Sequence, residues 1–258
     1  MKFLVYAPLY NEKSAGIMML YTLNDELKRL GYESEIILIG EIFSVPDDAI
    51  VIYPEVVDGN PLFAKNVVRY FLNREGMAAR NKVNPSPNDF ILAFNKLYYE
   101  NPHATLRYEK LNPHCHFEIT PNSTRKLDCT YIGKGIFYSD QCKVIPGTIE
   151  ITRTAPLDKE ALADLLKITK LFFTYDICSL INSEAIICGA IVVPLLFYPY
   201  NSDELEYPYA YIENGVVRLP EDYENKREAY ISMIRGFDLE SQTRNFASKA
   251  IAHFSINI

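Results

Sequence analysis

Short apolar runs and helical periodicity take turns along the first eighty residues. Lys2–Tyr6, Glu35–Ile39 and Ala49–Tyr53 are β-branched or apolar runs bounded by Pro and Gly, the pattern of strands buried in a parallel sheet. Between the first two, Ile17, Leu20, Leu23, Leu27 and Leu30 recur every three or four residues. Ser14 stands where a helix cap is needed, and Gly31 where a left-handed residue would end the helix. A second helix is predicted from Leu62 to about Asn73, with Phe63, Val67, Val68 and Phe71 on one face. Strand, helix, strand, strand, helix is a βαβ pattern and predicts a parallel sheet covered on both faces.

The pattern weakens from Asn81 to Leu127, where Pro85, Pro87, Pro102, Pro113 and Pro121 interrupt pieces such as Phe90–Phe94 and His116–Ile119. This stretch is the expected domain junction. A second alternation follows: a strand at Cys129–Ile132, a Gly133-Lys134-Gly135 turn, a strand at Thr148–Thr152 and a helix at Lys159–Thr169. A strand at Leu171–Thr174, a helix near Ser179–Cys188 and a strand at Ile191–Pro194 complete it. The tail reads as two helices, Asp222–Arg235 and Leu239–Phe254, parted by Gly236. The expected fold class is α/β with two Rossmann-like domains, 1–127 and 128–237, and a C-terminal helix, 238–258, which the family resemblance set out below implies packs back on the first domain. Leu239, Phe246, Ala250 and Phe254 lie near one stripe of that helix, which therefore needs a partner surface.

With 258 residues, 48% of them hydrophobic and only 23% charged, the chain has ample apolar area for a packed core, which excludes disorder. A net charge of −7 argues against duplex nucleic acid, whose affinity comes from neutralising phosphates. Small molecules or proteins are the expected partners. Ala190–Phe197 and Phe90–Phe94 are far shorter than the roughly 20 apolar residues of a membrane span. The N-terminus reads as a strand and not a signal peptide. Five cysteines without CxxC spacing suit reduced thiols, so a cytoplasmic location is expected and a zinc site is not. His114 and His116 flank Cys115 but lack a matching ligand set elsewhere, and no metal is expected there.

The densest chemical signal runs from Leu171 to Pro194. A buried strand ends at Asp176, a polar turn opens a helix at Ser179 and Leu180, and Glu184-Ala185 lies inside that helix ahead of Cys188-Gly189. Helix starts beyond the carboxyl ends of strands bind phosphate in open α/β sheets, because their amides and dipole favour anions. Glu184, one to two turns in, is placed to accept the hydroxyls of a ribose. As alternatives, Glu184 is an ordinary helix residue, Asp176 caps the next helix, and Lys134 is simply solvated.

Asp176 through Glu184-Ala185 to Cys188-Gly189-x-x-Val192-Val193 resembles the donor-binding segment of GT-B glycosyltransferases, E-x7-E followed by A-x-x-x-G-x-P-V-V. Asp176 stands where the first Glu usually stands, and Ala190-Ile191 replaces Thr-Pro. Tyr131-Ile132-Gly133-Lys134-Gly135 and Tyr53–Pro61 resemble loops, and Ile149–Arg153 with Asp158–Leu166 the strand and helix before the nucleobase pocket, of a bacterial branch that builds surface polysaccharide. The resemblance implies a compact GT-B type fold, two Rossmann-like domains facing a cleft. It implies a glycosyltransferase that moves a sugar from a nucleotide-sugar donor to a saccharide or lipid-linked saccharide acceptor. No cofactor, no metal and no nucleic acid are expected, and peripheral membrane association is left open. Gly133, Lys134, Gly135, Arg153, Asp176, Ser179, Leu180 and Glu184 would bind the donor. Gly16 and Asn60 would lie on the acceptor side, and Asp58 or Glu55 would be the general base, though both also suit a turn. The rival reading is a non-catalytic nucleotide- or sugar-binding protein that partners an active transferase.

Overall fold

The computed structural model describes residues 1–77, 82–116, 125–156, 158–198 and 200–255. The chain forms two compact units, Met1–Lys110 with Phe237–Ile258, and Leu111–Gly236. The first unit ends at Lys110, where the Pro-rich stretch had suggested a boundary at Leu127; the part of the run His116–Ile119 beyond His116 lies outside the described residues.

The first unit contains β1 (Phe3–Ala7), α1 (Ala15–Arg29), β2 (Ser34–Leu38), β3 (Ile50–Pro54), β4 (Asn66–Phe71), β5 (Phe90–Ala93) and β6 (Ala104–Thr105). All six strands are parallel, in the order β2-β1-β3-β4-β5-β6. Ser14 caps α1 and Gly31 follows it at φ +87°, as the spacing requires. Successive residues of β1 serve opposite faces. Phe3 and Val5 pack with Leu20, Leu23 and Leu27 of α1 and with Phe246, Ala247, Ala250 and Phe254 of the C-terminal helix, Leu239–Ser255. Leu4 and Tyr6 pack with Val51, Tyr53, Val57 and Leu62 on the other face.

The helix expected over 62–73 is instead the strand β4. The sequence NVVRYF is β-branched and aromatic, and five of its six residues are buried because the strand lies between β3 and β5. Arg69 within it is internal: its Nε sits 2.8 Å from Asp89 Oδ2 and its guanidinium lies 5.1 Å from the centre of the Tyr53 ring. Phe63, expected on the buried face, is 91% exposed at φ +54°. The run at Phe90 is likewise a sheet strand and not part of a linker.

The second unit contains β7 (Leu127–Tyr131), β8 (Ile149–Ile151), α2 (Lys159–Ile168), β9 (Thr169–Thr174), α3 (Leu180–Ile187) and β10 (Ile191–Pro194). A hairpin of β11 (Tyr211–Glu213) and β12 (Val216–Arg218), then α4 (Tyr223–Arg235), complete it. Its four-stranded sheet is parallel, in the order β10-β9-β7-β8. In both units the first strand is central, the second lies to one side and the third to the other. The sequence is therefore α/β with doubly wound parallel sheets.

Candidate functional site

Parallel strands end at one edge, and the crevice where their connections diverge is where such sheets bind ligands. In the second unit this switch lies between β7 and β9. Gly133-Lys134-Gly135 follows β7 and opens a short 3-10 helix, while Tyr175-Asp176 follows β9 and leads into α3. The two connections touch. Gly133 has φ +52°, and a Cβ there would come within 2.5 Å of the Tyr131 ring and 2.7 Å of the Asp176 carboxylate. A Cβ on Gly135 would come within 2.5 Å of Tyr175 Cβ and 2.7 Å of its carbonyl oxygen. Glycine at both positions lets the turn lie against the end of β9.

That approach builds an ion pair. The Lys134 amide donates to Asp176 Oδ2 at 3.0 Å, and Lys134 Nζ stands 3.6 Å from Asp176 Oδ1. Asp176 is only 4% exposed, whereas the Lys134 side chain is 23% exposed. Burial opposes the Lys134 charge, but the attraction of Asp176, aided by Cys178, Tyr138 and Tyr131, outweighs it and raises the ammonium above its ordinary range. The Asp176 backbone is held as well, its amide by Thr174 Oγ1 at 3.1 Å and its carbonyl by Asn182 Nδ2 at 2.9 Å. Asp176 is thus the anchor of the lysine turn; the residue at the cap position of α3 is Ser179, whose side chain makes no capping bond.

Ser179 and Leu180, at the start of α3, are half-buried, and amides in a first helical turn lack carbonyl partners within their own helix. Every later residue of α3, Ile181 to Ile187, is buried. Arg153 is exposed in the loop after β8, at the same carboxyl edge. The expected donor-side residues Gly133, Lys134, Gly135, Asp176, Ser179, Leu180 and Arg153 therefore share one edge of one sheet.

Glu184 stands apart from that edge group. It is 7% exposed, and its Oε1 accepts the Asn112 amide at 2.8 Å, an internal partner in place of the open acceptor expected. Asn112 also donates from Nδ2 to the Lys159 carbonyl at 2.7 Å, so this residue ties the start of the unit to α2 and α3. Sequence reasoning passed over Asn112, and no local pattern marks it. Arg125 was also missed: its guanidinium donates to the carbonyls of Thr169 at 2.8 Å and Cys188 at 2.7 Å, closing the C-terminal end of α3 where positive charge is favourable. Gly189, at φ +84°, supplies the gap that Arg125 occupies, and this gives the glycine of the motif a packing reason.

In the first unit, Glu55 is 5% exposed and its Oε2 accepts the Leu72 amide at 3.1 Å. This carboxylate therefore joins the ends of β3 and β4, a structural bond that the sequence reading of Glu55 as a base or turn former had not foreseen. Asp58 is exposed at the carboxyl edge of that sheet. Asn60 organises its loop, accepting Tyr53 Oη at 2.9 Å and the Ala64 amide at 2.9 Å while donating to the Ala64 carbonyl at 2.8 Å. Gly16 lies in the first turn of α1, and the nearest side chain to a Cβ there would be Leu72 at 3.9 Å, an ordinary contact. His114 and His116 are exposed, and among the described residues no cluster of three His, Cys, Asp or Glu could hold a metal.

No protein-family model and no curated protein matches the chain. Among solved structures, the chain is similar to an alpha-glucosyltransferase in complex with UDP and a 13-mer DNA containing an HMU base. The identity is 11% and the TM-score 0.40, over 98% of this chain and 94% of that one. Among the described residues, no helix is long and apolar enough to cross a membrane.

Proposed function

We propose that the carboxyl edge between β7 and β9 binds the diphosphate of a nucleotide-sugar, and that the protein is a glycosyltransferase of GT-B type acting without a divalent metal. The observation that carries the reading is the Lys134 turn, pressed by two glycines onto Asp176 beside the half-buried start of α3. When the glycosidic bond to phosphate breaks, the diphosphate leaves with the electron pair. Lys134, Arg153 and the first amides of α3 offset that charge, the electrostatic task a cation performs elsewhere. Asp58, exposed at the carboxyl edge of the first sheet, is the candidate base for an acceptor hydroxyl if the reaction inverts. A saccharide acceptor, and a place in surface-polysaccharide synthesis, rest on the loop resemblances alone. Glu184 enters as the residue that fastens α3 to Asn112.

The commitment of Glu55 to a backbone amide favours a second reading, a nucleotide-binding protein without turnover. Calorimetric titration with UDP, GDP, dTDP, CMP and NAD in excess EDTA tests the first claim. One diphosphate should bind, and Lys134→Met should weaken it at least tenfold, the loss of a charge-assisted contact worth roughly 1.5–3 kcal/mol. Binding that appears only with Mg²⁺ or Mn²⁺ would defeat the metal-free mechanism. Binding without transfer or donor hydrolysis would favour the second reading.

A further inference from the structure

Two cysteines meet inside the second unit. Cys188 ends α3 and is fully buried, while Cys115 lies in the segment that opens the unit and is 7% exposed. Their thiols are in hydrogen-bond contact. The backbone brings them together by matching steps. Glu184 Oε1 accepts the Asn112 amide at 2.8 Å; the Cys115 amide then donates to the Asn112 carbonyl at 3.0 Å and the Cys188 amide to the Glu184 carbonyl at 2.9 Å. Each cysteine thus stands one turn beyond one end of the Asn112–Glu184 bond. Asn112 Nδ2, which donates to the Lys159 carbonyl at 2.7 Å, fixes the register of the first segment.

The two thiols are unequal. Cys115 donates to Cys188, and that bond, with Lys167 and Arg125 nearby, holds the Cys188 thiol below its ordinary pKa against the opposing effects of burial and Glu184. The same bond and burial push the Cys115 thiol up. Cys129 is placed differently, with its Sγ 3.2 Å from Thr169 Oγ1, and Cys142 and Cys178 are half-buried in the loops after β7 and β9.

We propose that Cys115 and Cys188 form a reversible thiol–disulfide switch, reduced in the resting protein and closed by a peroxide, whose closed form locks the end of α3 to the segment that opens the unit. In the first step the Cys115 sulfur takes one peroxide oxygen as the O–O bond breaks, which leaves a sulfenic acid and one water. In the second, the Cys188 sulfur attacks the Cys115 sulfur. The S–S bond forms, the S–O bond breaks, and the hydroxide leaves with the Cys188 proton as a second water. Two thiols and one peroxide become one disulfide and two waters. Cys115 is the thiol that a small oxidant meets. Cys188 needs no access to solvent, because its target is the sulfur it already touches, and as the more acidic of the pair it is the better placed to attack. A dithiol reverses the closure by exchange. The switch lies within the second unit and uses none of the diphosphate-edge residues, so it does not depend on the transferase reading.

The test treats the reduced full chain with hydrogen peroxide, blocks the remaining thiols with N-ethylmaleimide and maps the tryptic peptides by mass spectrometry. Thermal unfolding is read before and after dithiothreitol. A Cys115–Cys188 linked peptide should appear, and the unfolding temperature should rise by about 5–10 °C, since the bond closes a long loop of the unfolded chain. Dithiothreitol should reverse both. Cys188→Ala, which puts a small apolar side chain in a buried place, should abolish the rise and leave a Cys115 sulfenic acid that dimedone traps. Should that variant fail to fold, the peptide map and the reversible rise in the parent chain decide. Absence of the linked peptide, its formation only in urea, bridging through Cys142 or Cys178 in its place, a bridge that leaves unfolding unchanged, or a rise that persists in Cys188→Ala would overturn the proposal.

Discussion

Replacing Asp176 with Asn separates the structural and electrostatic parts of the Lys134 turn. Asn retains an acceptor for the Lys134 amide, so the turn keeps its 3.0 Å anchor and loses only the attraction on Nζ at 3.6 Å. At an effective dielectric constant near 20 that attraction is of order 4–5 kcal/mol before desolvation. Desolvation opposes most of it, and the lysine side chain is 23% exposed, so a net loss of about 2 kcal/mol is expected, between the surface and the buried-pair limits. Thermal unfolding should fall by roughly 4–8 °C at about 2–4 °C per kcal/mol. The pH dependence has a definite sign. The folded-state pKa of Lys134 is raised, so the pair's contribution is complete below the ordinary lysine value and is lost as pH climbs through the raised one. The penalty of Asp176→Asn should therefore be flat across neutral pH and shrink in strong alkali. Affinity should move the other way from stability. A Lys134 no longer neutralised by Asp176 attracts a diphosphate more strongly, by about two- to fivefold at low salt, a gain that salt removes. Calorimetry with UDP beside scanning calorimetry of the free protein checks both. A folded Asp176→Asn chain that loses UDP affinity tenfold would mean that Asp176 itself contacts the ligand, and unchanged stability would mean that the pair contributes nothing.

Gly189→Ala should cost about 2–4 kcal/mol in the denaturant midpoint, since Ala disfavours φ +84° and its Cβ displaces the Arg125 guanidinium from the end of α3. Phe246→Ala in the C-terminal helix should cost about 3–5 kcal/mol, because the ring is fully buried against Phe3 and Phe90; a loss below 1 kcal/mol would show that the helix is not part of the first core. His103 is held below its ordinary pKa by burial and by His253, and its Nδ1 accepts the Ile91 amide at 2.8 Å, which requires the neutral ring. Stability should be complete above about pH 6.5 and decline as pH falls below it. Thermal unfolding at pH 7.5 and 5.5 measures this, and His103→Gln should reduce the difference.

Most secondary structure in the second unit was legible in the chain. Asp158 caps α2 through the Ala161 amide at 2.7 Å, and the run from Thr169 to Pro194 gives strand, helix, strand as read. Local rules suffice there, because caps, glycines and apolar runs act over a few residues. The lysine turn was legible for the same reason: two glycines around a lysine after a strand mark close approach, though not what is approached. β4 was misread because Phe63, Val67, Val68 and Phe71 also fit one helical face, and only the pairing of this segment between β3 and β5 makes it a strand. Glu184 was read as open because its partner, Asn112, lies seventy-two residues earlier. By itself, then, the sequence determined which segments are strands and helices wherever neighbours in the chain decide. Tertiary structure alone decided which carboxylates are exposed, which charges are internally paired and which thiols meet. Those properties depend on desolvation and on hydrogen-bond partners brought from distant parts of the chain, and no local spacing encodes them.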